Sequence, residues 1–509
     1  MRKWLLPLGL LAVLAFVGAW VTLAGGAEPA AWHRAIQVPG LAALVADRST
    51  HMGPVSCPTG GNCAAGGDYL DGSGNQQAFV VDETNGSWGN AVEVPGIAAL
   101  NTGGAAGVNS VSCATAGNCV AAGFYTDQAG SQAFVVDETD GRWGTAIQVP
   151  GTTSLSTGTF FEKVIVNAVS CATAGNCTAG GSYTNRAGSQ AFVAEERNGR
   201  WGTAIEVPGT ARLNSGGDAS VRAVSCGAAG NCTAVGTYAD SSAPDYSQAF
   251  VVDERNGNWG TAIEVPGTAT LNSGGTTDVS SVSCATAGNC IAVGTYGTEC
   301  STSTSFRSRG RIDCVNYQAF VVDETKAGWG DAVAVSGTVE RNAGNRAGTN
   351  SVSCATPGNC AAGGYYTDDS YRRQAFVVDE TNGSWGTAID VPGMATRNSG
   401  DAYVSSVSCP TAGNCTAGGS YADASGGLHA FVVEETNGSW GKAIEVPGTA
   451  TLNSGGYASV NSVSCATPDD CAASGAYTDG SRPTDTGSFG SGRYWRFHRL
   501  NRAFVVSFR

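Results

Sequence analysis

Apolar positions in this chain fall into short runs broken by turn residues, with no helical stripe after the first two dozen residues. The stretch Val111 to Gly151, VSCATAGNCVAAGFYTDQAGSQAFVVDETDGRWGTAIQVPG, shows the pattern. Four strands are predicted in it. Strand a ends in Val-Ser-Cys at Cys113, and strand b opens at Cys119, is small and Gly-rich, and ends in an aromatic at Tyr125. Strand c is the run Ala133 to Val136, and strand d starts at Trp143 and ends Ile147-Gln148-Val149-Pro150. Gly-Asn in the a–b connection and the usual Asn-Gly between c and d are hairpin signals, so the four strands are antiparallel.

The unit recurs. Its first cysteines are Cys57, Cys113, Cys171, Cys226, Cys284, Cys354, Cys409 and Cys465, at intervals of 55 to 58 residues with one of 70. Four antiparallel strands repeated at a fixed period predict the blades of a β-propeller. The last unit stops at strand c, Ala503 to Arg509, while Trp32 to Gly40 is a strand d with no blade before it. The strand-d tryptophans are Trp32, Trp88, Trp143, Trp201, Trp259, Trp329, Trp385 and Trp440, which match the eight first cysteines. The expected fold is therefore all-β: an eight-bladed β-propeller of four-stranded antiparallel blades, closed by the N-terminal strand completing the last blade. No helix is expected after the leader.

Residues 1–27 read as a signal peptide or an uncleaved N-terminal membrane anchor: Arg2 and Lys3, then an uncharged apolar stretch from Trp4 to Ala24, then Gly-Gly-Ala. Residues 28–509 read as one propeller, with b–c insertions at 298–316 and 479–501. Export to the outside of the cell, secreted or surface-held, fits the cysteines. Eighteen is an even number, and each C-x5-C pair brackets a hairpin that sets two sulfurs side by side. The pairs Cys57/Cys63, Cys113/Cys119, Cys171/Cys177, Cys226/Cys232, Cys284/Cys290, Cys354/Cys360, Cys409/Cys415 and Cys465/Cys471, with Cys300/Cys314 in the repeat 5 insertion, are expected as disulfides with a purely stapling role. Thiolate metal sites are the competing reading. The four histidines do not repeat with the cysteines, so no metal and no cofactor are expected.

A formal charge of −14 favours solubility and argues against nucleic acid as a partner. The charge is not spread evenly. Alternating strand direction puts the a–b and c–d turns at one end of a propeller and the b–c and d–a loops at the other. Seven c–d turns carry an acidic pair, from Asp82/Glu83 to Glu434/Glu435, read as repeated architecture and not as paired catalytic acids. Strand-d acids such as Glu93, Glu206, Glu264 and Glu445 are expected to face solvent on the outer edge. The variable b–c loops are instead rich in arginine and aromatics. Arg307, Arg309 and Arg311 in repeat 5, Arg372 and Arg373 in repeat 6, and Arg493, Tyr494, Trp495, Arg496, His498 and Arg499 in repeat 8 are the candidate ligand-binding residues. Guanidinium forks suit carboxylate, phosphate or sulfate, and flat rings suit a sugar face.

The turn Asp82-Glu83-Thr84-Asn85-Gly86-Ser87 before Trp88 resembles the Asp-box turn of sialidase-type (BNR) repeats, and Gly66-Gly67 followed by Tyr69 resembles Kelch repeats. The cysteine-stapled Val-Ser-Cys units look like exported actinobacterial propeller proteins. The resemblance covers Trp32 to the C-terminus and implies a fold. A sialidase site would need an arginine triad, a tyrosine and acids at the ring centre, and no such set can be placed here. Quinoprotein dehydrogenases also have eight blades with repeated tryptophans, but the vicinal cysteine pair that many of them carry is missing. The expected function is that of a monomeric, non-catalytic binding propeller for an extracellular glycan, cell-wall polymer or protein. The rival is an extracellular glycosidase or polysaccharide lyase with its site at the top of the central channel. A set of unrepeated acids converging there would favour the rival.

Overall fold

A computed structural model describes residues 31–45, 49–157, 162–240, 247–273, 275–302, 312–481 and 500–509. The chain is a β-propeller of antiparallel four-stranded sheets, one per repeat. Repeat 2 shows the plan: strand a is Ala106–Thr115, b is Asn118–Thr126, c is Gly130–Thr139, and d is two short pieces, Arg142–Trp143 and Ile147–Gln148. A parallel pairing of Glu162–Lys163 with Gly130–Ser131 joins the sheets of repeats 2 and 3.

Strand d is thus interrupted, where the sequence pattern suggested one run. After the c–d turn, Trp88 pairs with Glu83, Gly89 donates its N–H to the Asp82 carbonyl, and pairing resumes at Val80–Val92. The break turns the Ala91 N–H away from its own sheet toward the carbonyl of Pro39 at 2.8 Å. The d–a connections also contain one-turn helices that the sequence did not suggest, such as Ile97–Leu100 and Thr449–Leu452. Four residues are too few to display a helical period. A left-handed glycine precedes each helix, for example Gly96 at φ 82° and Gly448 at φ 88°.

Strand c is buried on both faces, which is why its run is continuously apolar. Phe79, Phe134, Phe192, Phe250, Phe320, Phe376, Phe431 and Phe504 are all fully buried. Alternation sends neighbours to opposite faces. Ala78 and Val80 of repeat 1 pack with Val108, Val111 and Phe134 of repeat 2, while Phe79 and Val81 pack with Ala503 and Val505 of repeat 8. Each core therefore lies between consecutive sheets. Strand b is glycine-rich because it passes against a bulged strand a. A Cβ on Gly123 would stand 2.0 Å from the Gly107 carbonyl oxygen.

Three series of hydrogen bonds link the repeats. On the inner strands the serine of each Val-Ser-Cys accepts the N–H of the next repeat's cysteine: Ser56 from Cys113, onward to Ser408 from Cys465, and Ser464 from Cys57, all at 2.9–3.0 Å. Toward the outside, the carbonyl ending strand d accepts from the next repeat, as in Pro95 from Ala146 and Pro447 from Ala35. Between them, each strand-d tryptophan donates to a side chain of the preceding repeat, Trp143 to Asp82 at 2.9 Å and Trp32 to Glu434 at 2.7 Å. The N-terminal segment lies in the sheet of repeat 8: Ile36 pairs with Val505, Gln37 with Phe504, and Trp32 bridges to Phe508.

All eight C-x5-C pairs are disulfides: Cys57–Cys63, Cys113–Cys119, Cys171–Cys177, Cys226–Cys232, Cys284–Cys290, Cys354–Cys360, Cys409–Cys415 and Cys465–Cys471. The staples are not all alike. Cys354 and Cys360 are direct register partners across their hairpin, as in most repeats. Cys409 and Cys415 are joined without being register partners, because the ladder of repeat 7 skips from Ser408 to Thr411. Repeat 1 skips likewise from Ser56 to Thr59. In both, a proline without a backbone N–H (Pro58, Pro410) follows the first cysteine. Cys300 and Cys314 are register partners across the extended hairpin of repeat 5, and Cys314 is disulfide-bonded. Each small loop contributes about 2 kcal/mol on the chain-entropy model.

Candidate functional site

Strand direction gives the molecule two chemically different ends. At one end the a–b and c–d turns are bonded together: Gly86 N–H to the Gly61 carbonyl, and likewise Gly141 to Gly117 and Gly438 to Gly413. The asparagine before the second cysteine locks the pair further, since Asn62 Oδ1 accepts the Asn85 N–H. Asn85, Asn198, Asn256, Asn382 and Asn437 all sit at positive φ, which bears out a turn role for these positions.

At the other end b–c loops meet d–a loops, as in Gln76 N–H to the Gly104 carbonyl. Of the eleven candidate ligand-binding residues, Arg372 and Arg373 lie among the described residues and belong to this end. Arg372 is exposed, with its backbone N–H held by Asp368 at 2.9 Å. The Arg373 guanidinium stacks 5.0 Å over the Tyr365 ring, and its backbone N–H is anchored by Asp401. Tyr371 beside them is 79% exposed and has a positive φ. Arg307, Arg309, Arg311, Arg493, Tyr494, Trp495, Arg496, His498 and Arg499 lie outside the described residues, as does the 1–27 leader.

The same end holds two histidines that sequence reasoning left aside, His51 and His429. His429 stacks on Tyr421 at 5.2 Å and lies between Asp423, at 2.9 Å, and Glu445, at 3.2 Å. Burial lowers its proton affinity, but the two carboxylates outweigh it and raise the pKa. Its imidazolium is thereby neutralised in place. Glu93, Glu206 and Glu264 are not simple solvent-facing edge charges as expected: each accepts a tyrosine hydroxyl, from Tyr69, Tyr183 and Tyr238. That aromatic ends strand b and reaches strand d across strand c, a contact that sequence spacing does not reveal.

The a strands of successive repeats pack against one another. They place Asn109, Asn167, Asn350 and Asn461 against carbonyls of the next repeat, such as Val166 and Met52. Among the strand-a segments the acids are Asp278 and Glu162. Burial raises the Asp278 pKa, and the charge of Arg222 in the neighbouring repeat partly offsets it. Asp278 keeps a solvent-exposed side chain on strand a of repeat 5. No group of three or more metal-ligating side chains exists among the described residues.

The acidic pairs divide into two roles that the sequence did not separate. The first acid takes the next repeat's indole: Asp137 from Trp201 at 2.9 Å, Asp379 from Trp440 at 3.0 Å. The second is buried, at 3–5% exposure for Glu83, Glu138, Glu196, Glu254, Glu324, Glu380 and Glu435. Burial, then the charge of the facing Asp82, Asp137, Asp323 or Asp379, pushes Glu138, Glu196, Glu380 and Glu435 up to about 7. This end therefore carries less surface charge than fourteen exposed carboxylates would give.

The cysteines at this end are the expected staples and also border the acids. Cys360 and Cys415, expected only as halves of staples, also wall the cavity that holds Asp379, Glu380 and Glu435. Cys119 and Cys177 occupy the same places around Asp137, Glu138 and Glu196. The second cysteine opens strand b beside the end of strand c, which places it next to the acids. In repeat 6, Cys360 is the register partner of Glu380 itself. Spacing shows the bond inside the hairpin and not this placement between repeats.

No protein-family model and no curated protein matches the chain. Among solved structures it is similar to the GH74 xyloglucanase from Xanthomonas campestris, with a TM-score of 0.42 and 13% identity over 79% of this chain. It spans 53% of that chain, about half its length. The β-propeller domain of the Trilobed protease from Pyrococcus furiosus gives a TM-score of 0.40 at 7% identity, covering 78% of this chain and 95% of that one. Hadza microbial sialidase Hz136 gives 0.34 at 13% identity, covering 73% of each chain. At these values nothing about activity passes from those proteins to this one.

Proposed function

We propose that the chain is an exported, closed eight-bladed propeller that binds an anionic extracellular polymer, an acidic glycan or a cell-wall polymer, through its b–c loops without catalysing a reaction on it. The observation that carries the reading is the contrast between the ends. One end is bonded into nearly identical turns, while loop variation and the accessible Arg372 and Arg373 belong to the other. Arg307, Arg309, Arg311, Arg493, Arg496 and Arg499 extend that set along the sequence. Closure is supported by the three inter-repeat series, each of which returns from repeat 8 to repeat 1. Export is supported by the disulfides, which persist in oxidising compartments.

The test is binding of the full chain to polygalacturonate and to isolated cell walls at low and high salt. Affinity is expected to fall with salt. It is also expected to fall in Arg493→Ala/Arg496→Ala/Arg499→Ala and in Arg372→Ala/Arg373→Ala, with melting temperatures unchanged. Full retention of affinity by both variants at low salt rules the surface out. The glycosidase or lyase reading retains one specific support, the solvent-exposed Asp278 near the charge of Arg222. Polysaccharide turnover lost in Asp278→Asn would establish it instead.

A further inference from the structure

The b–c turns of repeats 1, 6 and 7 share one frame. An aspartate opens each, and its backbone N–H takes a carbonyl further along the turn: Asp71 from Asn75, Asp368 from Arg372, Asp423 from Gly427. The residue before that carbonyl returns its own N–H to the aspartate carbonyl and is left-handed in all three. In repeats 1 and 7 it is glycine, Gly74 at φ 87° and Gly426 at φ 81°. In repeat 6 it is Tyr371, at φ 59°. Every other non-glycine residue at positive φ among the described residues is Asn, Asp or Ser. A Cβ is disfavoured in this conformation, and a bulky side chain most of all. Repeat 6 therefore keeps an aromatic where its frame favours glycine, and packing does not account for it, since Tyr371 is 79% exposed.

Three further departures surround it. Arg372 and Arg373 stand where repeat 1 has Asn75 and Gln76 and repeat 7 has Gly427 and Leu428. On strand b, Tyr365 pairs with Ala375, in the place that Asp68 takes opposite Ala78 and Ser420 opposite Ala430. Tyr365 carries the Arg373 guanidinium over its ring at 5.0 Å. The turn that presents this group is fastened from below. Asp368 accepts the N–H groups of Ser370 and Arg372 and the Gln374 amide, and Asp401 accepts the Arg373 N–H. Binding on such a turn sacrifices little loop entropy. An exposed flat ring next to an exposed guanidinium matches a sugar ring that bears its own carboxylate.

We propose that Tyr371 and Arg372 form a subsite for one uronic-acid residue of a glycan. The Tyr371 ring lies against the sugar face and the Arg372 fork takes the carboxylate, while Arg373 adds positive charge from its seat on Tyr365. The subsite rests on the proposed function and narrows its ligand from any anionic polymer to one built of acidic pyranose rings.

The experiment titrates the full chain by calorimetry at low salt with two probes. One is tetragalacturonate. The other is N-acetylated, amidated tetraglutamate, which carries the same number of carboxylates without a sugar ring. Tetragalacturonate is expected to bind about tenfold more tightly, the worth of one aromatic contact. Tyr371→Gly, which restores the residue type of repeats 1 and 7, should remove that advantage. It should leave tetraglutamate binding unchanged and should not lower the melting temperature. Tyr371→Phe should retain the advantage, and Arg372→Ala should weaken both probes. Equal binding of the two probes by the parent, or a Tyr371→Gly chain that keeps the preference, overturns the subsite while the anionic-polymer reading stands. A Tyr371→Gly chain that loses both probes and melts lower gives the ring a structural role and overturns the subsite too. A parent that binds neither probe overturns it as well, and if polygalacturonate and cell walls also fail to bind, the proposed function falls with it.

Discussion

Replacing Glu380 by glutamine should stabilise the protein increasingly above about pH 4.5, and in full above neutral pH. Glu380 is 5% exposed, and burial followed by the charge of Asp323 raises its pKa from 4.5 to about 7. Asp323 itself is held by the Trp385 indole, the neighbouring Asp379 is turned to Trp440, and Thr325 stands where other repeats have arginine. A folded-state pKa above the unfolded value means that folding retains the proton. Below about pH 4.5 the group is neutral in both states and contributes nothing. Stability is lost as pH rises from about 4.5 to 7, and above that the folded state carries the whole cost of a buried charge. The rise corresponds to about 3 kcal/mol. Glutamine copies the protonated shape and cannot ionise. With an unfolding entropy of roughly 2 cal/mol/K per residue, that energy is about 3 °C in a chain of this length. Calorimetric scans at pH 4 and pH 8.5 measure it: the variant should melt with the parent at pH 4 and about 3 °C above it at pH 8.5. If Glu380→Gln melted lower at pH 8.5, the carboxylate would be ionised and paired there, and the reading of Glu380 as a buried acid facing Asp323 without a cation would be wrong.

Other perturbations separate the bonds between repeats from those within them. Deleting residues 32–39 bares the strand-c edge of repeat 8 and should cause aggregation or a large drop in melting temperature, followed by light scattering on heating; an unchanged melt would refute the seam. Ser225→Ala removes the acceptor of the Cys284 N–H on the inner strands and should cost about 1 kcal/mol, read by chemical denaturation. Cys171→Ser/Cys177→Ser opens a single staple and should cost about 2 kcal/mol in the same assay, leaving the other repeats oxidised by thiol titration.

The repeat, its four strands and its cysteine pairing were legible because each depends on residues close in sequence. Cys113 and Cys119 are brought together by their own hairpin, and Phe134 is core by its place in a buried run. Trp32 even indicated its place in the last sheet, since it opens a strand d that lacks its own blade. The acidic pairs were legible as architecture but not in their division of labour. Nothing in Asp137-Glu138 says that one acid takes an indole from the next repeat while the other loses its water to the preceding one. That outcome is decided between sheets, about one period away, where a lone sequence shows no pairing. The second place of Cys360 and Cys415, on the wall of an acidic cavity, was hidden for this reason too. So was the broken strand d, because the bond that draws Ala91 away ends on Pro39.

The pairing of Ile36 with Val505 carries a consequence for biosynthesis. The eight small disulfide hairpins can form as each repeat emerges, because in each C-x5-C pair the partners lie six residues apart. The seam waits until the end, and bringing its strands together costs about 4 kcal/mol more loop entropy than closing such a hairpin. Until then a finished strand edge and an unplaced strand coexist on one chain, and each is the complement of the same feature on any other copy. Joining its own ends gives a discrete particle, whereas joining a neighbour's gives an open head-to-tail polymer. The concentration of newly made chains therefore sets which product accumulates.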